Sequence, residues 1–351
     1  MSARASEPTP GVPHPKETTA LHGHRDAEAA LLTAYRSGRI PHAWLIGGPR
    51  GVGKATLAYR LARFVLAHGD AAARAVQDAG DLRVDADHPV ARQIASGAHG
   101  GLLTLERTAN DKGVMRSVIT VDQTRETVAF FGSTAAIDGW RVCVVDTVDE
   151  LNANAANALL KILEEPPRRS ILLLVTHAPG KVLPTIRSRC RALMLRPLAG
   201  DEVAAAVADA TGRASGDPAI AAAAEVAEGS VGRALDFLDA GALKLHRRTA
   251  ELLDTLPNVD QRQLHALGDA LGGSDRTALA AFVDSVERWI GDRIRARAGQ
   301  ADAGKGDLAQ LARLAEVWEK INSAARDVES FNLDRKPLVF SVFDLLSEAT
   351  R

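Results

Sequence analysis

Apolar and polar positions follow two regimes along the chain. From Leu21 to about Pro197, short apolar runs alternate with stretches whose apolar residues recur at helical spacing, the pattern of a parallel sheet covered by helices on both faces. The strands it predicts are Trp44–Ile46, Ser117–Val121, Arg141–Val145, Ser170–Thr176 and Ala192–Leu195. Between Ala67 and Arg116 the periodicity fades, which predicts an elaborated loop or a small inserted module. After Pro197 the strands stop. Val203, Val207 and Ala210 share one face, a second helical pattern follows Asp217-Pro218 and a third starts near Ser230, so residues 198–243 read as a three-helix unit. Residues 244–351 read as helical throughout, with Arg276–Ala298 and Asp307–Ser330 as the longest periodic segments and Gly299–Gly306 as a linker.

Composition narrows this picture. A chain of 351 residues is expected to hold two or three domains, and 46% apolar with 25% charged residues is the balance of a folded soluble protein. The 63 alanines against 4% aromatic residues predict helices that meet through small side chains. With 43 Lys+Arg against 44 Asp+Glu, overall charge gives no argument for nucleic-acid binding, although a local basic groove stays open. Residues 1–19, with Pro8, Pro10, Pro13 and Pro15 and no apolar stretch of signal-peptide type, read as a disordered tail. The longest apolar runs, such as Ile171–Val175, are far too short to cross a bilayer. The two cysteines, Cys143 and Cys190, suit a reducing cytoplasm and can supply neither a disulfide framework nor a four-thiolate zinc site.

The sharpest chemical signal is Gly48-Pro-Arg-Gly-Val-Gly-Lys54, which follows a predicted strand and opens a helix through Leu57, Leu61 and Val65. In that setting Gly48, Gly51 and Gly53 let backbone N–H groups converge on phosphate oxygens, the helix N-terminus adds positive potential and Lys54 adds a charge. Two parts of the usual catalytic set are replaced. Ala55 stands where a Ser or Thr hydroxyl binds magnesium, and Thr56, one step along the helix, is turned by about 100°. Asp146, at the end of its strand, is placed near a metal, but Thr147 follows where a water-orienting acid is usual. Asp149 and Glu150 read as helix-start acids.

The helix Asn152–Glu165, stopped by Pro166 and Pro167, stacks Ala155, Leu159 and Ile162 on one face. Together with the phosphate loop and Leu183-Pro-Thr-Ile-Arg-Ser-Arg-Cys190, its sequence resembles the clamp-loader branch of the AAA+ ATPases. Gly38–Lys54, Ile119–Glu126 and Gly229–Arg233 are most similar to the delta prime subfamily of that branch. The resemblance covers residues 21 to about 238 and weakens in the last third, where Asn332–Lys336 is the most suggestive piece.

The resemblance implies an α/β fold: a P-loop AAA+ core with a parallel sheet at 20–197, in which 67–116 is inserted, a three-helix lid at 198–243 and an all-α collar at 244–351. It implies a rigid subunit of the DNA polymerase III holoenzyme, partnered by gamma/tau and delta, that helps load a sliding clamp onto primed DNA. By the same resemblance Arg189 is presented in trans to ATP on a neighbouring subunit, with Arg187 the lesser candidate, Thr176 matches a polar sensor position, and Arg233 sits where a lid arginine can approach nucleotide. Ala55 and Thr147 then fit a subunit with little or no ATPase activity of its own. ATP occupancy stays open. No zinc is expected, because relatives with four cysteines in the insertion differ from this chain there, and Asp87, His88 and His99 are a weak ligand set. Two rivals stand beside this reading: a self-sufficient DNA-stimulated ATPase, and a scaffold in which Arg189 is silent.

Overall fold

The structure, a computed structural model, describes residues 12–108, 116, 118–132, 139–272, 276–298, 305–331 and 333–350. Residues 1–11 of the expected tail, Ser117 and most of the 299–306 linker lie outside them. Among the described residues five strands, β1 (Ala43–Gly47), β2 (Leu102–Glu106), β3 (Arg141–Asp146), β4 (Ser170–Thr176) and β5 (Arg191–Met194), form one parallel sheet in the order β2-β3-β4-β1-β5. All residues of β1 and β4 are buried, which is why these strands read as unbroken apolar runs.

Alternation of side chains across the pleat sorts the strands into two cores. Trp44, Ile46, Val142, Val144, Ile171, Leu173 and Val175 pack on one face with α1 (Arg25–Arg36), α2 (Lys54–Ala67), α3 (Arg74–Gln77) and α4 (Pro89–Ala95). Ala43, Leu45, Cys143, Val145, Leu172 and Leu174 face the other way, onto α5 (Val121–Gly132), α6 (Ala153–Glu164) and α7 (Pro184–Arg187). On α6 the predicted stripe is buried, with Leu159 fully so, and its truncation to Ala would cost about 2 to 5 kcal/mol. Asn152 caps the helix by accepting from the Ala155 N–H at 2.8 Å.

Three details differ from the sequence expectation. Leu102–Glu106 is a strand that the faded pattern of the insertion hid, because it lies at the sheet edge and only Leu105 is fully buried. The expected strand Ser117–Val121 is, in its described part, a single bridge from Ile119 to Leu151, since Val121 already opens α5 and Thr120 bonds to Gln123 at its start. Residues 14–19, expected in the disordered tail, lie against α2. Arg63, 1% exposed, donates to the Lys16 and Thr18 carbonyls at 3.1 and 2.8 Å, and Arg60 donates to Thr19 O at 2.6 Å and to Glu28 at 2.5 Å. Two guanidinium groups on the buried face of a helix need acceptors, and this segment and Glu28 of α1 supply them.

The chain divides into two compact units, Met1–Asp236 and Phe237–Arg351. The first ends in α8 (Gly200–Thr211), α9 (Pro218–Val226) and α10 (Val231–Asp236), whose contacts use Val203, Val207, Ile220, Ala223 and Ala234. The second holds α11 (Ala240–Asp254), α12 (Gln261–Leu271), α13 (Arg276–Ala298), α14 (Lys305–Ser330) and α15 (Lys336–Thr350) around its own core, which includes Leu267, Phe282, Leu314 and Phe343. No described helix is long and apolar enough to cross a membrane.

Candidate functional site

Where β1 ends, the chain turns through the glycine loop into α2. Gly48, Gly51 and Gly53 take φ values of 145°, 74° and 97°, a conformation that side chains oppose. Gly51 is needed on a second count, because a Cβ there would collide with Ser230 Oγ and lie 3.0 Å from Gly232 N. The loop is tied by its carbonyls. Those of Gly48 and Pro49 accept from Lys54 Nζ at 2.8 and 2.5 Å, and that of Arg50 accepts from Ser230 Oγ at 3.0 Å. The Gly51 carbonyl accepts from Gly232 N–H at 3.1 Å, that of Val52 from His24 Nε2 at 2.7 Å, and that of Gly53 from Leu57 N–H at 3.0 Å. Thus the start of α10 and the residue before α1 both grip the loop.

Acidic residues gather at the C-terminal edge of the sheet. Asp146 ends β3 in register with Glu106 of β2 and Val175 of β4. Desolvation, with the Glu106 charge adding to it and Lys54 opposing it, pushes its carboxyl up to about 6. Burial lowers Lys54 to about 8 against the pull of Asp146 and Asp149, so the ammonium and the carboxylate still coexist at neutral pH. Thr147 is 3% exposed, and its hydroxyl has no hydrogen-bond partner among the described residues.

Asp149 lies in the first turn of a 3-10 helix, and it does more than a helix-start acid. It accepts from Thr176 Oγ1 at 2.6 Å and from the His177 N–H at 2.5 Å, binding the end of β4 to the 3-10 turn Val148–Glu150. The Thr176 hydroxyl is therefore engaged by a carboxylate, while it also accepts from the Ala178 N–H at 3.1 Å. Glu150 is buried beside Arg107 at 2.9 Å; burial, offset in part by that guanidinium, pushes it up to about 7. His177 is held neutral, lowered to about 3 by burial and by the charges of Lys54, Arg50 and Arg107.

Of the three arginines that the sequence singles out, Arg187 is the last residue of α7. Arg233 Nη1 donates to Ala227 O and to Glu228, both at 3.2 Å, and its N–H donates to Ser230 Oγ. Arg189, just beyond α7, donates from Nη1 to Thr185 O at 2.9 Å and from Nη2 to Glu164 at 2.8 Å. Sequence reasoning noted Gly229–Arg233 without seeing that Ser230 and Gly232 hold the loop. It missed His24 and Glu164, since nothing local marks a contact across such separations.

A phosphate group fits what the loop offers: three glycines in the required conformation, the N-terminus of α2 and the Lys54 ammonium. A phosphate-bound magnesium ion fits less well, since Ala55 has no oxygen to give it. Among the described residues no group of three or more His, Cys, Asp or Glu is arranged to hold a metal.

A family model described as DNA polymerase III, delta subunit, matches residues 23–199. The delta prime subunit of Pseudomonas aeruginosa DNA polymerase III is 39% identical over 149 residues, 42% of this chain and 41% of that protein. The delta prime subunit of Escherichia coli is 34% identical over 167 residues, 48% of this chain and 46% of that one. A gamma/tau subunit of Mycobacterium tuberculosis is 32% identical over 273 residues, 75% of this chain and 44% of its own length. The matches thus span less than half the length of these curated relatives. A gamma subunit-related protein of Thermotoga maritima aligns over 92% of this chain and 99% of its own, with a TM-score of 0.43 at 16% identity. With its phosphate loop, its acidic strand end and the Arg189 segment all inside the matched half, the chain belongs to the DNA polymerase III delta subunit family, in which its similarity is to delta prime subunits.

Proposed function

We propose that this chain is a clamp-loader subunit of DNA polymerase III that hydrolyses no ATP itself and presents Arg189 to ATP bound on a neighbouring gamma/tau subunit. In this reading, core 20–197 and lid 198–243 form a rigid wall, and collar 244–351 joins an assembly that includes delta and acts on a sliding clamp and primed DNA. The observation that carries it is a contrast within one unit: the cis site has Ala55 and Thr147 at its metal and water positions, while Arg189 stays 36% exposed on its side chain. Guanidinium suits a trans role because it is always charged and can bind two phosphate oxygens at once. The tied loop supports rigidity, since lid and loop share two hydrogen bonds through Ser230 and Gly232.

Should the loop take a nucleotide, Lys54 and the backbone around Gly51 and Gly53 would hold its phosphates. The triphosphate would supply negative charge that binds the loop more firmly to α2, and no chemistry follows from it without a water-activating group. The purified chain, assayed with and without primed DNA, is expected to show no ATP turnover above background. Robust DNA-stimulated turnover that vanishes in Lys54→Ala would overturn the reading in favour of a self-sufficient ATPase, which the intact loop and Asp146 would then explain.

A further inference from the structure

We propose that Glu164 is the positioning residue for Arg189, holding its guanidinium at the surface in the pose in which a triphosphate on a neighbouring subunit receives it. This rests on the trans-acting reading above. The two ends of the guanidinium fork are held by different elements, Nη2 by the Glu164 carboxylate of α6 and Nη1 by the Thr185 carbonyl of α7. Two holding points fix the plane of a planar group, and among the described residues only two of its five N–H donors are used, which leaves three for an outside acceptor.

The helix dipole disfavours an acid at position 164. It is the last residue of α6, where the negative end of the helix favours a cation such as Lys161 of the same turn. Nor does the pair do much for stability, because its side chains are 36% and 51% exposed and water screens such contacts. An acid at this dipole-disfavoured helix end, in a pair the fold hardly needs, is consistent with a role in what it holds.

The support behind Glu164 is stiff. Asn152 caps α6, Leu159, Ile162 and Leu163 bury its inner face, and Pro166-Pro167 follow its end. An arginine side chain left free would lose its rotamer freedom at the moment of the reaction, whereas one already held loses little.

The test uses the full chain assembled with its gamma/tau and delta partners, assembly being checked by size-exclusion chromatography, and reads kcat and KM for ATP. R189A is expected to lose kcat by at least about 10²-fold. E164A is expected to lose kcat about fivefold with KM unchanged, and E164Q to stay within about twofold of the parent, because its amide oxygen still accepts from Nη2. The double variant E164A/R189A should be no slower than R189A. E164K repeats the E164A arm at this exposed site should the alanine variant fail to assemble, with a loss at least as large. A parental rate in E164A or E164K beside a slow R189A overturns the positioning role. So does a double variant that is slower than R189A by the same factor, since the effect would then not pass through Arg189. A parental rate in R189A overturns the trans-acting reading itself.

Discussion

At the scale of single residues, the sheet edge shows how burial and charge compete. Glu150 sits beside Arg107, which favours its ionised form, yet desolvation is the larger effect and its carboxyl is pushed up to about 7. A carboxyl raised on folding binds its proton more tightly in the native state than in the unfolded chain. Its contribution to stability is therefore greatest at low pH and is lost as pH rises from its unfolded value through about 7. Glu150→Gln removes that slope. Urea unfolding at pH 5 and pH 8 should show the parent losing on the order of 1 to 3 kcal/mol more than the variant over this interval. An identical pH dependence in both proteins would show that Glu150 does not titrate there.

At the scale of elements, the start of α10 is the part whose role the structure changes most. Ser230 both accepts from the Arg233 N–H in the first turn of α10 and donates to the Arg50 carbonyl of the phosphate loop. One hydroxyl thus caps a helix and fastens it to the core. Ser230→Ala should cost about 1 to 2 kcal/mol, the loss of a cap together with a bond to a half-buried carbonyl. Native-state hydrogen exchange should then speed up in α10 and in the loop together while α6 stays protected. Faster exchange in α10 alone would mean that the contact with the loop does not hold the lid.

At the scale of the whole molecule, the two compact units have separate cores, one built on the sheet and one from α11 to α15. All the tied loop contacts, the acidic edge and the Arg189–Glu164 pair lie within the first unit. Residues 1–236 expressed alone should therefore unfold in one cooperative transition and keep the slow exchange of β1 and β4. A fragment with no cooperative transition would show that the first unit depends on the second. For partner binding the expectation is the reverse: a fragment without the second unit should fail to co-purify with gamma/tau if that unit is the collar.

The sequence alone determined what repeats locally and what is spelled by neighbouring residues. Buried strands betray themselves as apolar runs, so β1, β3 and β4 were legible within a residue or so, and the glycine loop, Ala55, Thr147 and Arg189 were readable as strings. The half-exposed edge strand β2 carries a weaker pattern and was lost, and Ile119, which makes one bridge, looked like a longer strand than it is. Only the tertiary structure decided which polar groups meet. Ser230 reaches Arg50 across 180 positions, Thr176 reaches Asp149 across 27, and Glu164 reaches Arg189 across 25. Periodicity records which face of an element is apolar, but a hydrogen bond depends on angstrom-scale placement of two separate elements, and that placement is fixed by packing of the whole core.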